Sequence, residues 1–124
     1  MHNLILEMKT RNAIAKAFSK LCDGGYIRIL TEDNIILSEL KLSKVAFKDP
    51  SKGVLIANDI EMDIAVRNSG KASKYEIYMQ DGKTKILTGT VGLLNTNSDL
   101  ELPTLDLVEG SQLQIESYKH IVSK

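Results

Sequence analysis

The Asp23-Gly24-Gly25 triplet divides this chain into two kinds of sequence, and that division limits the fold more than any other feature. Before it, Ile14, Ala17, Phe18 and Leu21 recur at spacings of three and four, with Arg11, Lys16 and Lys20 elsewhere on the helical wheel. The stretch from Thr10 to Cys22 therefore predicts an amphipathic helix, with Thr10 as its N-cap and the glycines supplying the left-handed backbone that closes helices. Residues Met1 to Glu7 read as an extension of that helix or as an arm, and Met8 is a second candidate start. No further helical period follows the triplet. Parallel neighbours need a long crossover, usually a helix, so the remaining stretch of roughly a hundred residues points to antiparallel β-structure.

From Tyr26 onward, short segments rich in Ile, Val, Leu, Thr and Tyr alternate with Gly, Asn, Asp, Ser and Pro. Candidate strands are Tyr26 to Thr31, Ile35 to Leu42, Gly53 to Ala57, Ile60 to Arg67, Lys74 to Gln80, Ile86 to Val91, Asp99 to Leu102 and Leu113 to Val122. In two of them the alternation is clean: Met62, Ile64 and Val66 oppose Glu61, Asp63 and Arg67, and Tyr75, Ile77 and Met79 oppose Lys74, Glu76 and Gln80. Asp81-Gly82 predicts a tight hairpin turn, and Asn68 to Gly70, Asp49 to Gly53 and Asn95 to Asp99 read as loops. The expectation is a mainly β protein: an antiparallel, jelly-roll-like β-sandwich of about eight strands with one short N-terminal α-helix. The 124 residues suit a single domain, with residues 1–25 as arm and helix and residues 26–124 as the sandwich.

Residues suited to catalysis are sparse. The histidines are His2, near one end, and His120, in the last candidate strand, and no nucleophile is spaced to pair with either. The single cysteine, Cys22, can form no intrachain disulfide and reads as a structural thiol at a helix end. Asp59, Glu61 and Asp63 alternate as the wet face of a strand would, and Asn95 to Asp99 lacks calcium-loop spacing, so neither metal nor cofactor is expected. No phosphate-binding glycine motif is present. Sixteen basic residues balance sixteen acidic ones, and the lysines lack interleaved aromatics, which argues against nucleic acid as a partner. Leu4 to Leu6 is too short an apolar run for a signal core or a membrane span, so synthesis and retention in a cytoplasm are expected.

The order of segments "TRNAIAKAFSKL", "DGGYIRILT", "LSELKLSKVAF", "KGVLIAND", "KYEIYMQDGKTKILTGTVG" and "DLELPTLDLVEGSQLQIESYKHIV" resembles a family of small tailed-phage and prophage virion proteins. Gly24, Gly25, Arg28, Phe47, Gly53, Asp81, Gly82, Gly89, Val91, Gly92 and Gly110 carry the resemblance. It implies a non-enzymatic, jelly-roll structural protein made in the bacterial host cytoplasm and placed on the virion. The expected role is that of a head decoration or cement protein, a dimer or trimer on the outside of the major capsid protein lattice. The expected partner contacts are Leu4, Ile5 and Leu6 with exposed parts of Ile14, Phe18 and Leu21, unless the helix simply caps the open end of the sandwich. The alternative is a tail or baseplate adhesin that binds a host ligand through the loops Asn68 to Gly70 and Asn95 to Asp99.

Overall fold

The computed structural model describes residues 2–121, with side chains from residue 9. Its one α-helix, α1, spans His2–Cys22, so Thr10 lies inside the helix instead of capping it. The segment holds neither glycine nor proline and is rich in Leu, Lys and Ala, which lets the helix run on through Thr10. At its far end the amide of Gly25 donates to Cys22 O, and Gly24 takes a positive φ of 67°. Gly25 has no room for a side chain, because a Cβ there would strike the carbonyl oxygen of Tyr78. The triplet thus stops the helix and brings its end against the sheet.

The inward face of α1 is rotated from the one its periodicity predicts. Ala15 and Cys22 are fully buried and Phe18 packs on the core, whereas Ile14 and Leu21 face outward, 52% and 46% exposed. The small Ala15 and Cys22 allow the helix to seat closely. Its approach is fixed by Asn12, whose Oδ1 accepts from the amide of Gly53 at 2.8 Å.

Strands β1 (Tyr26–Leu30), β2 (Ile36–Lys41), β3 (Val54–Ile56), β4 (Gly70–Lys71), β5 (Lys74–Tyr78), β6 (Lys85–Leu93), β7 (Leu100–Leu102), β8 (Asp106–Leu107) and β9 (Lys119–Ile121) follow. A curled five-stranded sheet has the order β2-β1-β5-β6-β7, and two small sheets pair β3 with β9 and β4 with β8. The pairs within β2-β1-β5-β6 are antiparallel as expected, but β7 runs parallel to β6. The chain makes that parallel pair without a helical crossover. Asn95 and Asn97 reverse it in left-handed conformation (φ 66° and 64°), the Glu101 carboxylate accepts both their amides, and Asp99 Oδ2 accepts from Thr90 N and Oγ1.

The expected strand Ile60 to Arg67 is absent, apart from an isolated bridge between Asp63 and Leu113. This stretch lies irregularly along the edge of β2: Glu61 N donates to Lys41 O, Arg67 N to Leu37 O, and Ser38 Oγ to Asp63 Oδ2. Its alternation failed to define a strand because Asp63, assigned to the wet face, is turned in to anchor β2, and Ile64, assigned to the dry face, is 71% exposed. The last expected strand, Leu113 to Val122, shortens to β9, and Val122 lies outside the described residues.

A connected run of rings closes the core. His120 stacks on Phe18 at 4.3 Å, Phe18 meets Phe47 at 5.9 Å, Phe47 meets Tyr118 at 6.0 Å, and Tyr118 meets Tyr75 edge-on at 5.6 Å. The run joins α1, the loop before β3, the C-terminal segment and the large sheet. At its end the two phenol oxygens lie 2.7 Å apart and buried, one hydroxyl donating to the other. The ring of Tyr75 lies over its cross-strand partner Gly89, where a Cβ would come within 2.5 Å of it. Burial pushes the Tyr75 phenol up to about 12, and burial together with Tyr75 raises that of Tyr118 further.

Two outcomes follow from this pair. Tyr118→Phe or Tyr75→Phe alone leaves one buried hydroxyl unmatched and should cost about 1–3 kcal/mol, while the double substitution should cost less than the sum of the two, as read by urea denaturation. The raised folded-state values favour the neutral phenols, so this contribution is intact below pH 10 and is lost as pH rises toward 12. Alkaline melting of the wild type against the double variant reads that window.

The β5–β6 hairpin is present, with a longer turn than Asp81-Gly82 alone predicts. Gly82 N donates to Met79 O, Met79 N to Thr84 O, and of the turn residues Gly82 alone has positive φ, at 70°. Asp81 accepts from the amides of Lys83 and Thr84 and from Thr84 Oγ1, which together hold its carboxyl down at about 2. Gly82→Val should cost about 1 kcal/mol or more in thermal denaturation. Asp81 should titrate near 2 by NMR, its contribution present above the usual carboxylate range and lost as pH falls through that value.

Candidate interaction surface

The residues that could serve catalysis do not converge. His120 is half-buried against Phe18; burial holds it below its ordinary value, while the charge of Asp99 works the other way. Cys22 is buried, and burial, then the charge of Asp23, push its thiol up to about 12, so no thiolate is available near neutral pH. Of the three alternating acids, Asp63 is committed to Ser38 and to the amides of Glu39 and Ala65, while Glu61 is exposed. Among the described residues no group of His, Cys, Asp and Glu is arranged to hold a metal ion. No helix among them is long and apolar enough to cross a membrane.

The outer face of the large sheet is polar and self-satisfied. Arg28 pairs with Glu39 at 2.6 Å and lies 4.1 Å above the Tyr78 ring, and its Nη2 donates to Gly82 O. Lys41 lies 4.6 Å above Tyr26 and donates to Gly24 O. Burial opposes the charge of Glu76, but hydrogen bonds from Lys85 and Tyr78 hold it below the usual range. These part-buried pairs satisfy one another and fix the sheet more than they attract a ligand.

Two other surfaces are not consumed in this way. The first is the outward stripe of α1, where Ile14, Ala17 and Leu21 are exposed one above another at helical spacing. Of the expected contact residues it brings Ile14 and Leu21 together. Phe18 is half-buried, its ring held between Phe47 and His120. The side chains of Leu4, Ile5 and Leu6 lie outside the described residues, although the helix backbone passes through these positions.

The second is a groove of about 1090 Å³ between the β6–β7 loop and the C-terminal segment. Ile56, Leu94 and Pro103 give it apolar wall, and Asp99, Glu101 and Glu116 give it carboxylates against Lys119. The expected binding loop Asn95 to Asp99 forms part of its rim, whereas Asn68 to Gly70 does not line it. Ile56, Glu116 and Lys119 carry no motif in the sequence; only the polar cluster at Asn95 to Asp99 marked this region.

No family model matches this chain, and neither does any curated protein or solved structure. If the α1 stripe is free of a role in the fold, Ile14→Lys and Leu21→Lys should each change stability by no more than about 0.5 kcal/mol. Phe18→Ala should cost about 3 kcal/mol, the low end for a phenylalanine truncation because the ring is half-buried, and guanidinium denaturation separates the two cases.

Proposed function

We propose that this chain is a non-enzymatic structural protein of a tailed-phage particle, a head decoration protein held to the major capsid protein lattice through the outward face of α1. The observation that carries the reading is the Ile14, Ala17, Leu21 stripe, apolar surface beside the helix face that already serves the core. Burying exposed apolar surface is the main gain in protein association, and many copies of a weak contact on one lattice hold strongly. The resemblance through Gly24, Gly25, Arg28, Phe47, Gly53, Gly82 and Gly89 supports the same reading. In this structure they serve helix closure, turns, the Arg28–Glu39 pair and ring packing, so they bear on the shared scaffold more than on a contact. The reading takes the large sheet and the small sheets as the two faces of a jelly-roll-like sandwich, assembled as a dimer or trimer on the capsid surface.

A second reading, a tail or baseplate adhesin, is favoured by the loop Asn95 to Asp99, which is braced by Glu101 and borders the groove. Quantitative mass spectrometry of purified particles decides between them. Copies near those of the major capsid protein support decoration, a few per particle support the tail, and none overturns both. The double variant Ile14→Lys, Leu21→Lys should fold normally and lose at least most of its particle association. Full retention would remove α1 as the contact.

A further inference from the structure

Backbone hydrogen bonding along the C-terminal segment is left incomplete. From Gln114 to Ser117 no backbone N–H or C=O has a partner among the described residues, although the flanking Leu113 pairs with Asp63 and Tyr118 accepts from Ala57 N. The pairing of Ala57 with Tyr118 fixes the alternation in the β3–β9 ladder. His120 spends its groups on Leu55, and those of Lys119 and Ile121 point to the other edge of β9. Across the groove stands β7, the outermost strand of the large sheet, with no strand paired to its outer side among the described residues. Both edges contribute to one groove, through Leu100 and Glu101 on one side and Tyr118 and Lys119 on the other.

A groove bordered by two open strand edges suits an added strand, because extended backbone is what satisfies a row of unpaired amides and carbonyls. We propose that this groove takes an extended segment of another protein chain, in which apolar residues alternate with Lys or Arg, as an additional β-strand. The apolar positions would meet Ile56, Leu94 and Pro103, and the basic ones the carboxylates of Asp99, Glu101 and Glu116. These three acids face one lysine, so a second copy of the same edge would bring acid against acid. The inference goes beyond the particle reading and does not depend on it.

The test uses the full-length, isotope-labelled protein and a synthetic hexapeptide alternating valine and lysine, followed by amide hydrogen exchange. Exchange at Lys119, Ile121 and alternate residues of 114–117 should slow by about tenfold or more at saturating peptide, against little change in β1 or β5. A peptide with glutamate in place of lysine should bind about tenfold more weakly or worse, and one N-methylated at alternate residues should not bind. Glu116→Lys, at an exposed side chain with no hydrogen bond of its own among the described residues, should weaken the basic peptide and leave the fold intact. Failure of the basic peptide to protect these amides at millimolar concentration overturns the proposal. So does equal binding of the acidic peptide. Protection present without peptide and lost on dilution overturns it in favour of a second copy.

Discussion

The hydroxyl contact between Tyr75 and Tyr118 is the point on which the other packing depends. Tyr75 belongs to the large sheet, and Tyr118 belongs to a segment that otherwise touches that sheet through little regular pairing. Their rings begin the run that continues through Phe47 and Phe18 to His120, so the helix, the β3–β9 ladder and the large sheet share one aromatic seam. With just two phenylalanines and no tryptophan in the chain, few rings are available, and most of them are placed here. Gly89 is part of the same arrangement: its missing side chain is the space in which the Tyr75 ring lies.

Local chemistry was legible in the sequence wherever one residue type had one physical job. Gly24 ends the helix in left-handed conformation, Gly82 turns the hairpin, and β1, β2, β5 and β6 fall where β-branched and aromatic residues gather. Alternation misled at Ile60 to Arg67 because it records polarity, not hydrogen bonding. Asp63 is polar and turned inward, since the Ser38 hydroxyl and the Glu39 amide on β2 each offer it a donor. The parallel β6–β7 pair was illegible for a related reason. A short reversal replaces the usual crossover only when side chains stand in for ladder partners, and Asp99 and Glu101 do so through contacts no periodicity encodes.

The helix face shows how a periodic signal can be right in kind and displaced in phase. Ile14, Ala17, Phe18 and Leu21 do share one side of the wheel, yet close seating on the core favoured the smaller Ala15 and Cys22 next to it. Phe18, at the border of the two faces, goes inward, and the larger aliphatics are left outside. The groove gave still less warning. Whether a strand edge is open depends on which distant segment pairs with it, and the register of Ala57 with Tyr118 cannot be read from either stretch alone.

Strand β9 links the groove to the core side of α1. Its inner face places His120 on Phe18 of the helix, while the adjacent Lys119 borders the groove. A strand this short is held weakly by its own ladder, so anything that completes its outer edge also steadies the ring contact beneath α1. By the same reasoning, anything that holds the helix steadies the edge presented to the groove. Coupling of this kind is reciprocal, because each contact acts on the ordering of the same few residues. The aromatic seam that closes the core thus also ties the seating of α1, through Phe18, to the open edge of β9.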